Sequence, residues 1–597
     1  RRFHAQPNAC PRCGPRLQLV DRRGNALPGD PIVVTAELLR AGQIVAVKGL
    51  GGFHLACDAT NAAAVSTLRL RKHRDAKPFA VMVRRLSDAE ALAVLTATDR
   101  QLLESVSRPI VLVPRRSASA LAADVAPENP LVGLMLPYTP LHELLLAAVD
   151  GPLVMTSGNH SDEPMVIDNA GALHHLGAIA DAILQHDRDI ANRCDDSVVR
   201  VLAGKPAVLR RGRGWIPGNL RVTPSFPVPI LACGAHLKSS FCLGVGDQIW
   251  LGPHVGDLET DEACRAFEAM VDRFARFVGV EPQAVVHDLH PDYFTTRWAG
   301  ELDLPMRIAV QHHHAHVASV MAEHQLSGPV IGLAWDGTGY GTDGTAWGGE
   351  FLLAHLAGFQ RLATFHPIPL AGGDQAIREI WRIALALLDD AFDGDAPLAQ
   401  LSLFDLVESS HIAVARRMIA TRLHAPLAHG VGRYFDAFGA ILLGVATARY
   451  EGEVAMQLSL AGDAAEQRPY AFGIAEGVFP AIDLRPTLRA AVNDLLSGIS
   501  AATIAARFHA TLREAAFTMI ERIESSHDAL PIVLSGGCFQ NARLVEDLKT
   551  ALRPRAVYLN EHVPPNDGGI ALGQAMIAAA QLRSGTLPCC RTTSGGM

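Results

Sequence analysis

Residues 330–341 read VIGLAWDGTGYG, an apolar run that ends in a polar, glycine-rich segment. The apolar half predicts a buried strand over Val330–Trp335, and a second strand is predicted over Glu350–His355. The same order occurs earlier in the chain, where a strand over Pro229–Cys233 runs into GAHLK, residues 234–238, and then into a strand over Ser240–Val245. A glycine turn between strands can place backbone N–H groups against phosphate, although an ordinary tight hairpin also uses glycine.

Strand, glycine turn and strand, used twice, is how two-lobed actin- and hexokinase-like ATPases begin each lobe. We therefore expect such a two-lobed domain over residues 229–590, with a long helical stretch over Gln375–Ile441. Two more glycine elements follow, IVLSGG at residues 532–537 and PPNDGG at residues 564–569. The candidate nucleotide-binding residues of this domain are Lys238, Gly339, Gly341, Gly536, Gly537 and Asn541.

Residues 31–222 alternate short apolar strands with helices and predict a separate α/β domain. The following stretch, 217–229, holds four prolines and predicts a linker. Residues 1–30 precede the domain and carry Cys10 and Cys13 in the order Cys-Pro-Arg-Cys-Gly. That knuckle presents two thiolates to a metal, but a structural zinc needs four ligands, so an exposed loop with two thiols stays open.

Four histidines in the five residues 312–316 form the strongest local signal for chemistry. His312 and His316 are four apart, so a helix would put both imidazoles on one face, ready for Zn or Fe(II). A carboxylate must come from elsewhere, and Asp336 and Asp567 both lie in glycine-rich segments beside predicted strands. We expect a site of two histidines and one carboxylate, for which both aspartates are candidates. Asp336 could ligate the metal or act catalytically from just outside. A surface histidine cluster is the alternative.

The second constellation is basic, with five Lys or Arg among residues 68–77. Cations on a helix end can neutralise phosphates in an α/β pocket, although a charge run is often only a solvated face. Polar residues at the ends of other predicted strands would join this basic run to form a binding site for an anionic small molecule. The candidates in this domain are the cations of this run, Lys72 and Arg74 among them, and the polar residues Lys48, Ser157, Asn159 and Arg210, which could bind a nucleotide.

Composition excludes several classes of protein. The 597 residues are 49% hydrophobic and 19% charged, which is typical of a globular protein and not of a disordered or fibrous one. The net charge of −8 and the absence of aromatics among the cations argue against a nucleic-acid partner. No apolar run predicts a membrane span, and ten scattered cysteines favour a reducing compartment, the cytoplasm. Because the chain begins with Arg1, we expect its natural start to lie upstream.

Five segments together resemble the HypF family of hydrogenase maturation carbamoyltransferases, and the resemblance covers essentially all of the chain. They are residues 1–14, 48–59, 71–82, 310–319 and 534–541. The resemblance implies that an acylphosphatase-like domain, a first zinc finger and half of a second, with its structural zinc, precede residue 1.

What the resemblance implies for function is a reaction in three stages. The upstream domain would release carbamate from carbamoyl phosphate. A YrdC-like α+β domain would join carbamate to ATP, bound with Mg²⁺, as carbamoyl-adenylate; the family's Lys-x-Arg maps to Lys72 and Arg74, and its Ser-x-Asn to Ser157 and Asn159. An ASKHA-type domain with one Fe or Zn at His312, His316 and Asp567 would pass the group to the C-terminal Cys of the partner HypE, as a precursor of a cyanide ligand.

Two other functions stay open at this point. An antibiotic O-carbamoyltransferase, acting on a hydroxyl, shares both domains, but in that group the metal domain comes first. A tRNA-binding threonylcarbamoyl enzyme or an RNA-binding module is the other, and the negative net charge argues against it.

Overall fold

The computed structural model describes residues 14–160 and 163–585. Three β-sheets of ten, four and nine strands organise this part of the chain. The first sheet belongs to the predicted α/β domain, and the other two form the two predicted lobes.

The first sheet is mixed and carries helices on both faces. Its strand order is β1-β8-β2-β3-β7-β4-β6-β5-β9-β10. Val45 and Val47 point into one hydrophobic core and Ala46 into another, so both faces are buried. The strands are β1 Leu17–Asp21, β2 Val45–Lys48, β3 Phe53–Asp58, β4 Ala80–Met82, β5 Ile110–Pro114, β6 Leu131–Met135, β7 Leu153–Ser157, β8 Ala182–His186, β9 Val198–Leu202 and β10 Lys205–Arg210. The helices are α1 Pro31–Arg40, α2 Ala62–Lys72, α3 Leu86–Leu92, α4 Ala97–Glu104, α5 Pro140–Val149 and α6 Asn169–Gly171.

Helix α2 delivers the basic residues to one end of this sheet. Asn61 caps its start by accepting the backbone N–H of Ala64, and His73 ends it in a left-handed conformation with φ 52°. Three cations stand in its last turn, where they complement the negative end of the helix dipole.

The first lobe contains the four-stranded sheet, in the order β12-β11-β13-β14. The antiparallel pair β11–β12 is followed by the parallel strands β13 and β14. Its elements are β11 Asn219–Ala232, β12 Cys242–Leu251, β13 Ala284–Asp288, β14 Met306–Val310, α7 Asp261–Val278, α8 Phe294–Glu301 and α9 His312–Glu323.

The second lobe repeats this topology. An antiparallel hairpin, β15–β16, is extended by β17. On its other side β15 pairs with the parallel strand β22, which in turn pairs with β23. The strands are β15 Val330–Tyr340, β16 Ala346–His355, β17 Gly358–Phe365, β18 Ile368–Pro369, β19 Leu427–Ala428, β20 Gly473–Ala475, β21 Ala481–Asp483, β22 Ile532–Ser535 and β23 Val557–Leu559. The helices are α10 Asp374–Arg378, α11 Trp381–Ala391, α12 Ser409–Thr421, α13 Val431–Leu443, α14 Glu453–Ala461, α15 Arg485–Leu496, α16 Ala501–Glu524, α17 Ala542–Ala551 and α18 Ile570–Ser584. The two repeated strand pairs therefore confirm the predicted two-lobed architecture.

The linker predicted over 217–229 is wrong, because Asn219–Ala232 forms the long strand β11. Its register with β12 shifts twice, around Phe226, and only Ile230–Ala232 also pairs with β13. Pro224 and Pro227 therefore fall at bulges and on a free edge, where a missing N–H costs no ladder bond. Likewise Leu17–Asp21, assigned to the cysteine-bearing segment, pairs with β8 in the first sheet.

The glycine segment after Trp335 is a strand bulge and not the predicted turn. Trp335 pairs with Gly349 and Gly339 with Trp347, so three residues of β15 face one residue of β16. A bulge bends its strand and re-aims a side chain, here that of Asp336. The long helical stretch predicted over 375–441 is also interrupted. Strand β19 lies between α12 and α13 and pairs with β18, which precedes α10.

Helix α9 is buried on every side, from His312 to Ala322. Gln311 caps it by accepting the backbone N–H of His314 at 2.9 Å. Helix α18 returns from the second lobe and packs on α9, where a Cβ at Gly573 would clash with the carbonyl of Ala315. This close approach brings Asp567, directly before α18, to the start of α9.

Candidate active sites

Four side chains from three parts of the chain meet where α9, the β15 bulge and the start of α18 come together. One ligand atom each from His312, His316, Asp336 and Asp567 lies within 4.8 Å of the others. His316 Nε2 is 3.0 Å from Asp336 Oδ2, and His312 Nε2 is 3.9 Å from Asp567 Oδ1. The structure thus juxtaposes the residues that helical spacing and topology predict, and their role as ligands stays a prediction. We call the four the His–Asp centre.

Asp288 supports this centre, and the sequence analysis missed it. Its Oδ2 lies 2.8 Å from Nδ1 of His312, and both side chains are fully buried. A carboxylate behind an imidazole fixes the tautomer, so His312 directs the lone pair of Nε2 toward the centre. The sequence signal for this residue is a carboxylate at the end of an apolar strand, VVHD at residues 285–288, shortly before the histidine cluster.

The neighbouring histidines face elsewhere, as the helical geometry predicts. His313 packs on Trp347, with ring centroids 6.2 Å apart, and its Nδ1 lies 3.3 Å from Gln311 Nε2. His314 Nε2 lies 2.8 Å from the carbonyl of His355. Only His312 and His316 of this cluster enter the His–Asp centre.

The electrostatics of the centre suit a cation. Burial raises the pKa of Asp567 to about 8, and Asp336 adds to that shift. Burial also opposes the charge of Asp336, but the imidazoles of His312 and His316 outweigh it and hold that pKa well below its usual range. Nε2 of His312 is buried without a hydrogen-bond partner among the described residues. Two imidazoles and two carboxylates, with Nε2 of His312 lacking a hydrogen-bond partner, fit a Zn or Fe ion. The charge of such an ion would let both carboxylates stay ionised.

A second site lies at the end of α2 in the first domain. Lys72 is buried, and its Nζ donates to the carbonyl of Ser157 at 2.8 Å and to Oδ1 of Asn159 at 2.6 Å. Ser157 Oγ also donates to Asn159 Oδ1, at 2.7 Å. Arg74 turns back on its own loop, donating to the carbonyls of Lys77 and Pro78. Lys72, Ser157 and Asn159 therefore form one polar cluster, with Arg74 close along the chain.

Three other predicted nucleotide-binding residues make contacts within the fold. Lys48 Nζ donates to Asn169 Oδ1 at 2.7 Å and to the carbonyl of His186 at 3.1 Å. Asn541 caps α17 and its amide lies 2.9 Å from His509 Nε2. Lys238 forms an ion pair with Glu451. Burial lowers the pKa of Lys238, but the negative charges of Glu451 and the nearby Asp567 outweigh burial and raise it. Lys238 is thus the one of these three that lies near the His–Asp centre.

The predicted phosphate-facing glycines pack against protein atoms. A Cβ on Gly339 would come within 2.7 Å of the His312 ring, and one on Gly537 within 2.8 Å of Asp336 Oδ1. A Cβ on Gly341 would clash with Trp347, and Gly536, at φ 109°, lies against the carbonyl of Trp335. Close packing is a reason for glycine that the phosphate argument did not include, and the nucleotide role of these positions remains a prediction.

Arg210 lies where the end of the first sheet meets the two-lobed domain. It lines a small cavity together with Ser240, His254 and Gly568, the residue after Asp567. Arg211 spans the same boundary by donating to the carbonyl of His562 at 2.9 Å. The cavity thus connects the end of the first sheet with the turn that carries Asp567.

Two other expectations concern the cysteine-bearing first segment and the membrane. Cys10 and Cys13, the predicted zinc-finger remnant, lie outside the described residues. Among the helices of the described part, none combines the length and the apolar character that crossing a membrane requires.

Comparison with known proteins covers nearly the whole chain. Four domain families match: the HypF finger at residues 1–20, the Sua5, YciO and YrdC family described as telomere recombination at 37–212, the HypF Kae1-like domain at 226–323, and the second subdomain of the carbamoyltransferase Kae1-like domain at 332–574. A human protein named threonylcarbamoyl-AMP synthase is 35% identical over 126 residues, which are 21% of this chain and 45% of that protein.

The similarity to full-length relatives is higher. The protein named carbamoyltransferase HypF from Rhodobacter capsulatus is 46% identical over 98% of this chain and 78% of its own length. A crystal structure of full-length HypF in a phosphate- and nucleotide-bound form is 40% identical and superposes with a TM-score of 0.92, covering 98% of this chain and 76% of that one. The two-lobed domain with its His–Asp centre, and the YrdC-like domain before it, are therefore those of a carbamoyltransferase, and the chain belongs to the HypF family.

Proposed function

We propose that this carbamoyltransferase activates carbamate with ATP and transfers the carbamoyl group to the C-terminal cysteine of a HypE partner in hydrogenase maturation. In the first step a carbamate oxygen attacks the α-phosphorus of ATP, giving carbamoyl-adenylate and pyrophosphate. In the second step the cysteine thiolate attacks the carbonyl carbon, and AMP leaves.

The first step is assigned to the cluster of Lys72, Ser157 and Asn159. Lys72 is a buried cation held by three oxygens, so it is positioned before ATP arrives and stabilises the negative charge that develops on the phosphates. Arg74, two residues beyond the end of α2, adds a second cation. The similarity of this region to a protein named threonylcarbamoyl-AMP synthase supports an acyl-adenylate as the product.

The second step is assigned to the His–Asp centre, and the orphaned Nε2 of His312 is the observation that carries the assignment. His312, His316 and Asp567 would hold a Zn or Fe ion, with Asp336 completing the donor set. Such an ion, when bound, acts as a Lewis acid toward a carbonyl or a phosphate oxygen. Asp288 keeps His312 in the required tautomer, and Lys238 adds positive charge beside Asp567 for a nucleotide phosphate.

We expect the intermediate to pass between the two steps inside the protein, along the boundary where Arg210 and Arg211 lie. Carbamoyl-adenylate hydrolyses in water, so an intermediate that stays inside the protein is used more efficiently. The basic side chains of Arg210 and Arg211 at this boundary suit an anionic intermediate.

Mass spectrometry of acceptor peptides tests the proposal. The chain is incubated with ATP, Mg²⁺ and ammonium bicarbonate, which contains carbamate, and with a peptide that ends in Cys or in Ser. We expect one carbamoyl group on the Cys peptide alone, with AMP and pyrophosphate formed in equal amounts. Carbamoylation of the Ser peptide instead would favour the O-carbamoyltransferase alternative and contradict the thiol acceptor.

A further inference from the structure

Beside the His–Asp centre lies a group of aromatic rings that the two proposed steps do not use. His290 and Tyr293 stack with centroids 4.2 Å apart and planes 2° from parallel. Tyr293 also stacks on His236 at 5.3 Å, and Tyr340 contacts His290 edge-on at 5.2 Å. The Tyr340 side chain is 40% exposed. We call these four residues the aromatic shelf.

Two hydrogen bonds tie the shelf to the His–Asp centre. Asp288, whose Oδ2 contacts His312, accepts the backbone N–H of His290 on its Oδ1 at 3.0 Å. Gln311, the cap of α9, donates from Nε2 to the carbonyl of Tyr340 at 3.1 Å. The shelf therefore has a fixed position next to the place where the thiol would react.

Carboxylates from both lobes surround the shelf. Asp292 and Asp374 act electrostatically on His290, and Asp257 and Glu259 act on His236. Asp292 and Glu259 are exposed on the first lobe, and Asp374 is exposed at the start of α10 on the second. Arg297 is the cation that acts on the same ring of His236, so the surroundings carry a negative balance.

Rings flanked by carboxylates select a particular kind of ligand. A guanidinium or ammonium group gains both from the exposed ring of Tyr340 and from the negative charges. An adenine base would also stack, but the carboxylates favour a positively charged group over a neutral base. Burial lowers the pKa of His290, so its ring is uncharged at neutral pH and does not repel a cation.

We propose that the aromatic shelf binds an Arg or Lys side chain of the acceptor protein, in the segment that leads to its reactive cysteine. The inference rests on the proposed function for the location of the thiol. The shelf then fixes how the acceptor tail enters, and it selects acceptors that carry a cation near the thiol.

Peptide binding tests the shelf independently of the chemistry. Fluorescently labelled peptides that end in Cys carry one Arg at each upstream position in turn, or Gln at the same position. We expect one Arg position to lower the Kd about tenfold relative to Gln, and the same position to lower the KM for carbamoylation. Asp374→Asn and Tyr340→Ala should remove most of this preference, while Tyr340→Phe retains it because the ring remains.

Charge reversal makes the test specific. Asp374→Lys should favour a Glu peptide over the Arg peptide, whereas Asp247→Asn, at an exposed position on β12, should leave the preference unchanged. None of these variants should change pyrophosphate formation. Equal Kd values for all Arg and Gln peptides would overturn the shelf, whatever happens to carbamoylation. Tight binding of the Arg peptide without any carbamoylation would support the shelf and contradict the proposed thiol transfer.

Discussion

Asp288 Oδ2 lies 2.8 Å from His312 Nδ1, and neither side chain is exposed to solvent. This one contact leaves Nε2 of His312 as the nitrogen that faces Asp336 and Asp567. The Asp288 carboxylate therefore orients one of the four residues of the His–Asp centre that would bind a metal.

Replacing Asp288 by Asn should weaken metal binding about 10- to 100-fold, because the neutral amide no longer raises the basicity of the imidazole and its NH2 group can face Nδ1, which favours the wrong tautomer. The measurement is the Zn or Fe content at a fixed free-metal concentration set by a chelator. Asp303→Asn, an exposed position in the same lobe, serves as the control. Unchanged metal affinity in Asp288→Asn would show that this contact does not position His312.

Gly339→Ala should disturb the His–Asp centre from the other side. The added Cβ would lie 2.6 Å from His313 Cε1 and 2.7 Å from His312 Cδ2, so both rings must move. We expect about 1–3 kcal/mol lower stability, as for other overpacked cores, together with lower metal content. Gly300→Ala is the matched control, because nothing lies within 4 Å of a Cβ there. Equal thermal unfolding of the two variants would refute this packing argument.

Lys72→Ala should reduce pyrophosphate release at least about 100-fold, because it removes the positioned cation from the first step. Arg71→Ala is the control, since the adjacent guanidinium pairs with Asp181 at 2.9 Å and not with Ser157 or Asn159. The assay measures pyrophosphate formed from ATP and carbamate. Release at the wild-type rate in Lys72→Ala would mean that adenylation occurs elsewhere.

His142 makes the stability of the first domain depend on pH. Its ring nitrogens have no hydrogen-bond partner among the described residues, and burial lowers its pKa to about 3. The unfolded chain binds a proton at this residue below about pH 6.5, and the folded chain does not until about pH 3. The unfolded state therefore binds more protons in this range, and stability falls as the pH falls, by about 1.4 kcal/mol per unit.

His142→Phe should remove that contribution while keeping a flat ring in the core. Thermal unfolding of both proteins at pH 7.5 and pH 5 measures the difference, since every other titrating group is common to the two. The wild type should lose more stability between these pH values. An equal loss would indicate that His142 is solvated or protonated in the folded protein.

Local spacing was enough to predict half of the His–Asp centre. His312 and His316 depend only on the period of a helix, and the buried helix α9 satisfies it. Asp336 and Asp567 required an assumption about topology, that glycine segments of both lobes meet at the cleft. Asp288 was missed because its partner lies 24 residues later. Only the parallel pairing of β13 with β14, which sets Asp288 opposite Val310 just before α9, joins them.

Residue type alone leaves two uses open. Lys48 and Asn541 are polar residues at strand or helix ends, which favours a ligand role; within the fold they contact Asn169 and His509, and their role in nucleotide binding stays a prediction. The prolines near residue 224 indicated a linker, but bulges and a free edge accommodate them in β11. For the prolines the tertiary neighbour decides between two uses of the same residue, and that neighbour is not visible in the local sequence.

The central claim is that activation and transfer occur at different sites, and His312→Ala tests it most directly. The variant is given ATP, carbamate and a Cys-terminated peptide, and pyrophosphate and peptide mass are measured in the same reaction. The account predicts pyrophosphate release at close to the wild-type rate and no carbamoylated peptide. Carbamoylation of the peptide by His312→Ala at the wild-type rate would contradict the assignment of transfer to the His–Asp centre.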